Sequence, residues 1–180
     1  MPKILHRDPF IAVTELNCAV PDPRDLDYTA SAIVNPVAGP RVDQHRTSDS
    51  YFDWGQLQDF RANILLQIQQ DFGHIYNPSQ CENLVISRYQ KGQLYASHLD
   101  YWDNDNPRCA TALVYFNDDF LGGNTYFDRL NITVRPKKNQ LLYWTYPADS
   151  PTRELTWHTG MHVVGGVKYV ATLWIRTNSL

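Results

Sequence analysis

The sequence predicts a mainly β protein with flanking helices, built as a jelly-roll-like sandwich or barrel, and three observations predict it. After Pro78 the chain falls into eight short β-like runs, turn dipeptides separate them, and one long amphipathic helical pattern precedes the series. In the helical pattern Trp54, Leu57, Phe60, Ile64, Leu65, Ile68 and Phe72 recur at the spacing of one helix face. Ser50 or Asp53 offers a cap at its start and Gly73 a stop at its end. Such a helix is expected to lay its apolar face on a sheet.

Strands are expected at 84–89, 94–99, 110–116, 125–127, 132–134, 141–145, 157–164 and 168–176. Lys91-Gly92, Asn117-Asp118, Gly122-Gly123, Lys138-Asn139 and Gly165-Gly166 supply the turns. Ahead of the helix, residues 1–46 are rich in proline and turn formers. A strand is expected there at 10–16, and a short helix with Asp22 as N-cap and Pro23 at its first position.

A chain of 180 residues with 43% hydrophobic and 19% charged residues can bury one core but not two sizeable ones, so a single domain over 1–180 is expected. Its net charge of -3 and pI near 6.0 give no positive field for a polyphosphate, and a nucleic-acid partner is not expected. The N-terminus lacks the apolar region of an export signal and no later run reaches membrane length. No membrane partner and a cytoplasmic location are therefore expected. Cys18, Cys81 and Cys109 are odd in number and form no Cys-x-x-Cys pair, which argues against a disulfide framework or a zinc ribbon.

The chemistry concentrates in RYQKGQLYASHLDYW, residues 88–102. Side chains alternate along a strand, so His98 and Asp100 project to one face and Leu99 to the other. If that face is interior, an imidazole and a carboxylate converge in a place where both are costly to bury, and a divalent metal is a fitting partner for them. A third ligand is available in WHTGMHVVGGVKYVATLWIR, where His158 and His162 share strand parity. Two histidines and one carboxylate on one face of an octahedron leave three positions open, the arrangement associated with non-haem Fe(II) oxygenases. Zinc would favour four ligands, often with sulfur.

Several segments, in order, resemble the Fe(II)- and 2-oxoglutarate-dependent dioxygenases, and among them the prolyl 4-hydroxylases. HRTSDSYF resembles the family's Arg-Thr-Ser segment, and ENLVISRYQKGQLYASHLDY is similar to the strand bearing its His-x-Asp. RCATALVYFND, LGGNTYF and VRPKKNQLLYW resemble the strands and Gly-Gly turn that follow, and HTGMHVVGGVKYVATLW resembles the closing segment. The resemblance covers roughly residues 45–176; residues 1–45 read as a variable N-terminal segment ahead of a catalytic core over 46–176.

The resemblance implies a double-stranded β-helix (jelly-roll) core in which His98, Asp100 and His158 hold Fe(II). The ten-residue distance to Lys168 is what favours His158 over His162, which is then a polar residue near the mouth of the site. Lys168 would bind the distal carboxylate of 2-oxoglutarate, Tyr89 would donate a hydrogen bond to it, and Thr172 is a weaker candidate for the same pocket. Tyr95, Arg108 and Trp174 fall where the family handles substrate. The implied activity is hydroxylation of peptidyl proline, as in a procollagen-proline 4-dioxygenase, with dioxygen consumed, 2-oxoglutarate converted to succinate, and ascorbate as reductant. Loops 48–55 and 101–107 would face the substrate.

Other readings stay open on the residues alone. The same chemistry would serve a free amino acid, another peptide side chain or a small metabolite, and a non-catalytic jelly-roll binding module would carry none of it. Lys168 reads equally as a solvated strand residue, Tyr89, Tyr95 and Trp174 as core aromatics, and Arg108 as a surface partner of Asp103 or Asp105. Gly122-Gly123 is explained by a tight turn, and Arg46 to Ser48 by a lead into the helix. The 13% of aromatic residues fit a barrel core and also a groove for extended proline-rich chains.

Overall fold

The computed structural model describes residues 1–35, 39–41, 44–53, 55–147 and 151–180. Trp54, placed by its spacing on the helix, lies outside the described residues. In chain order the elements are β1 (Lys3–Arg7), β2 (Phe10–Glu15), β3 (Thr29–Ala30), β4 (Ile33–Asn35), β5 (Gly39–Arg41), β6 (Asp49–Phe52) and helix α1 (Gln58–Phe72). There follow β7 (Val85–Tyr89), β8 (Tyr95–His98), β9 (Arg108–Tyr115), β10 (Leu121–Gly122), β11 (Thr125–Phe127) and β12 (Ile132–Val134). β13 (Gln140–Thr145), β14 (His158–Gly160), β15 (Val163–Gly165) and β16 (Lys168–Arg176) complete the chain.

Eight strands form one sheet in the order β1-β2-β13-β9-β16-β7-β6-β3, and four form a second in the order β12-β11-β14-β8. All the pairings described are antiparallel. The expected jelly-roll core is therefore what forms, and strand alternation divides its large sheet into two faces. Ala110, Ala112 and Val114 of β9 and Ala171, Leu173 and Ile175 of β16 pack with Phe60, Ile64, Leu65 and Ile68 of α1. Tyr115, Leu142, Trp144 and Val170 point the other way, against Phe127 and Val134 of the small sheet. The site occupies the gap between the two sheets.

The helix starts later than its apolar spacing suggests. Ser50 lies in β6, buried beside Ser87, so it caps nothing. Asp53 takes the backbone N–H groups of Gln56 and Leu57 just ahead of the first helical residue. The far end is as expected: Gly73 adopts φ 74°, and its N–H donates to the carbonyl of Gln69.

Two further expectations are corrected, and a strand appears where none is expected. No helix follows Asp22; Pro21 and Pro23 flank it, and a residue before proline is driven out of the helical region, so its carboxylate accepts from the N–H and guanidinium of Arg24 instead. The run 157–164 is not one strand: β14 pairs with β8 and β11, whereas β15 pairs with β10, and the chain crosses between them at exposed Met161 and His162. β1, which the reading of residues 1–46 passes over, is a largely exposed edge strand carrying Lys3 and Arg7. No helix among the described residues is long and apolar enough to cross a membrane.

Candidate active site

His98 ends β8 and His158 begins β14, and the two are directly paired across the small sheet. Asp100 lies two residues beyond β8, buried, and turns its carboxylate back toward both. His98 Nε2 is 3.5 Å from Asp100 Oδ1, and His158 Nε2 is 3.9 Å from Asp100 Oδ2. The ligating atoms of the three residues lie within 4.8 Å of one another. Position His162 is exposed and outside this group, so the structure separates two histidines that strand parity leaves equivalent.

Each imidazole is held through its other nitrogen. His98 Nδ1 is 2.8 Å from the Ala96 carbonyl, and His158 Nδ1 is 2.9 Å from that of Thr156. A carbonyl only accepts, so both Nδ1 atoms carry a proton, and both Nε2 atoms face Asp100. Aromatic neighbours fix the ring planes: Tyr95 stacks on His98, and Trp144 meets His158 edge-on with centroids 4.9 Å apart. Burial pushes the His158 imidazole down to about 4, with the neighbouring His98 adding to it, so this ring is neutral at physiological pH. Burial alone would raise the Asp100 carboxyl, but His98, His158 and Arg108 outweigh it and hold the group below the usual carboxylate range. Two imidazoles with their Nε2 atoms turned inward and an ionised carboxylate, converging in the gap between the sheets, are a donor set that fits Fe(II).

Behind Asp100 stands Arg108. Its NH1 donates to the Asp100 carbonyl at 3.1 Å, its Nε and NH2 clasp Glu82 at 2.7 and 2.8 Å, and its guanidinium lies between the rings of Trp102 and Trp174. The structure thus places Arg108 outside the cleft lining, as a buried support of the ligand loop, and its acid partner is Glu82 rather than Asp103 or Asp105.

The cleft beside the three ligands is lined by Tyr89, Tyr95, Lys168, Thr172 and Trp174, all singled out from sequence, and also by Arg46 and Thr125. Lys168 and Tyr89 are opposite one another on β16 and β7, which brings the ammonium 5.3 Å from the Tyr89 ring centre. Lys168 is 3% exposed, so it is no solvated strand residue. Its Nζ donates to the Gly123 carbonyl at 2.6 Å, and among the described residues no carboxylate pairs with it. Burial pushes this ammonium down to about 7. A buried cation with N–H groups to spare, across the cleft lining from a metal-type donor set, fits a carboxylate of 2-oxoglutarate.

Gly123 does more than turn the chain. At φ 65° a Cβ would stand 2.9 Å from Phe120 Cε2 and 3.1 Å from Lys168 Cδ. Gly123→Ala is expected to cost about 1–2 kcal/mol from the left-handed backbone alone and to displace Lys168. Thermal melting and 2-oxoglutarate titration should both register the change.

Arg46, which the sequence offers as no more than a lead into the helix, instead lines the cleft. It is 8% exposed, held by the hydroxyls of Ser48, Ser50 and Ser87, with its guanidinium 4.8 Å over the Tyr95 ring. Ser87 within the apolar-rich β7, and Ser48 and Ser50 just after Arg46, were the available signal. Thr125, whose Oγ1 accepts from Tyr115 at 2.7 Å, carried none.

The chain belongs to the 2OG-Fe(II) oxygenase superfamily, whose sequence pattern matches residues 84–176, just over half of it. Prolyl 4-hydroxylase 1 of Arabidopsis thaliana is 33% identical over 115 residues, a match covering 53% of this chain and 41% of the relative. Prolyl 4-hydroxylase subunit alpha-1 of Bos taurus is 28% identical over 191 residues, covering 97% of this chain and 34% of the relative. The chain thus spans less than half the length of these curated relatives. Among solved structures, a viral collagen prolyl hydroxylase from Paramecium bursaria chlorella virus 1, in its 2OG complex, superposes with a TM-score of 0.60 at 27% identity. That match covers 74% of this chain and 80% of the viral one.

Proposed function

We propose that this 2OG-Fe(II) oxygenase hydroxylates prolyl residues in a peptide or protein. The observation that carries the reading is an aromatic-lined cleft, of the kind that receives extended proline-rich chains, in which Tyr95 and Trp174 stand with the buried Lys168 beside the His98, Asp100 and His158 donor set. Relatives named as prolyl 4-hydroxylases, and a solved structure named as a viral collagen prolyl hydroxylase, support it.

In this reading His98, Asp100 and His158 hold the iron, while Lys168, with Tyr89 and Thr172 beside it, takes the distal carboxylate of 2-oxoglutarate. Iron and 2-oxoglutarate, with dioxygen, supply oxidation of an unactivated C–H bond coupled to decarboxylation to succinate, and ascorbate serves as reductant. The protein's share is orientation and exclusion of water. The Nδ1–H bonds turn both Nε2 atoms toward the metal position, Arg108 fixes the Asp100 main chain, and buried Tyr89, Trp144 and Val170 form a water-poor inner wall of the cleft.

The test is mass spectrometry of proline-rich peptides after aerobic incubation with Fe(II), 2-oxoglutarate and ascorbate. A gain of one oxygen on proline, absent with His98→Ala, is expected. Succinate formed only with free amino acids or small metabolites would move the reading to those substrates, and no succinate with any of them would leave a binding module.

A further inference from the structure

Asp100 is gripped from a second side by residues that neither line the cleft as donors nor belong to the three ligands. Thr111 Oγ1 donates to Asp100 Oδ2 at 3.0 Å; Thr111 Oγ1 and the Tyr146 hydroxyl are 2.8 Å apart; Trp144 Nε1 donates to the Tyr146 hydroxyl at 2.7 Å. Thr111 and Trp144 are directly opposite on β9 and β13, and Tyr146 follows the end of β13, so the row is built by strand register. Thr111 and Trp144 are fully buried and Tyr146 is 3% exposed.

The direction of this chain is determined at both ends. An indole N–H can only donate, and an ionised carboxylate can only accept. Trp144 therefore occupies the Tyr146 oxygen as acceptor, the Tyr146 proton goes to Thr111, and the Thr111 proton goes to Asp100. Every hydroxyl proton has one place to point. A single-direction row of this kind has no alternative arrangement that releases Asp100 without leaving a buried hydroxyl unpaired, which is costly.

We propose that Thr111, backed by Tyr146 and Trp144, is a positioning residue that commits Asp100 Oδ2 and so leaves Oδ1 as the single oxygen offered to the metal. The inference rests on the reading of His98, Asp100 and His158 as metal ligands. One-oxygen ligation preserves the open positions that a two-oxygen carboxylate would fill. The row explains why a threonine and a tyrosine, two polar residues, stand fully buried between the sheets, a place otherwise given to Leu142 and Val170.

The test uses Co(II) as a spectroscopic probe under anaerobic conditions, with affinity and the visible absorption bands both measured. Thr111→Val, close in shape but without the hydroxyl, is expected to weaken Co(II) roughly 10- to 100-fold, the usual effect of losing an outer-shell partner, and to change the bands as the freed carboxylate turns. Thr111→Ser should restore both. Tyr146→Phe should weaken Co(II) less, and should add nothing in the Thr111→Val background. Wild-type affinity and bands in Thr111→Val, or an altered melting temperature with unaltered bands, would overturn the proposal. If Thr111→Val does not fold, Tyr146→Phe decides: unchanged affinity and bands reject the relay. A wild-type protein that binds no Co(II) removes instead the metal-ligand reading on which the proposal stands.

Discussion

Asp100→Ala is expected to abolish metal binding and, with it, succinate formation. Asp100 is the sole anion among the three converging donors, and it lies between the other two, 3.5 Å from His98 Nε2 and 3.9 Å from His158 Nε2. Removing it leaves two imidazoles, with His158 made reluctant by burial to take a proton, facing a buried space with no anion to balance a dication. The loss should exceed the ~100-fold that marks the upper range for disturbing an outer-shell partner. Anaerobic Fe(II) titration with a succinate assay checks it. His162→Ala provides the contrast: exposed and outside the donor set, it should bind iron as the wild type does. Iron affinity retained in Asp100→Ala, or lost in His162→Ala, would mean that the donor set is wrongly drawn.

The pair of histidines shows how far a sequence carries such an argument. The two-residue step from His98 to Asp100 is legible because strand parity is local, and parity equally admits His158 and His162 as the third member. What separates them is a break in the strand, after which the chain leaves the small sheet to pair with β10, and that is a matter of tertiary pairing. Lys168 illustrates the converse. No polar-apolar alternation marks β16 because both of its faces are covered, with Ala171, Leu173 and Ile175 buried under the helix and buried Val170 and half-buried Thr172 and Trp174 toward the cleft. A strand covered on both sides carries no polar-apolar period, and a lysine within it looks like any other.

Arginines were the least legible residues of all. Arg46 and Arg108 are buried by partners distant in sequence: Ser87 is 41 residues from the first, Glu82 is 26 from the second. An arginine is solvated by default, and the acids nearest to Arg108 along the chain, Asp103 and Asp105, are exposed and take no part. The fold was legible where periodicity is strong, as along α1 from Phe60 to Ile68, and at turns written in glycine. It was not legible at β6, whose Ser50 lies close before the helix and reads as a cap for it, nor at β1, an exposed edge strand with no face to mark.

The cosubstrate side of the cleft should respond to pH with a sign that follows from Lys168. Burial lowers its ammonium to about 7 from an ordinary value of 10.5. The folded protein free of ligand therefore holds Lys168 at a disadvantage that is complete below pH 7 and is relieved as pH rises toward 10.5, so this residue's contribution makes the ligand-free fold more stable with rising pH across that window. A bound carboxylate reverses the preference, since it stabilises the ammonium in a water-poor cleft. Binding must then take up a proton wherever the free protein's Lys168 is neutral. The affinity for 2-oxoglutarate is expected to be flat below pH 7 and to fall above it by up to roughly tenfold per pH unit. Lys168→Met should weaken binding by about 2–5 kcal/mol, the cost of deleting one partner of a buried charged pair, roughly 30-fold to several-thousand-fold. It should also erase the slope. Calorimetric titration of the Mn(II)-loaded protein between pH 6.5 and 9 measures both. A wild-type affinity that does not change with pH, or a slope that survives in Lys168→Met, would show that the carboxylate is held elsewhere, with Arg46 the other buried cation lining the cleft.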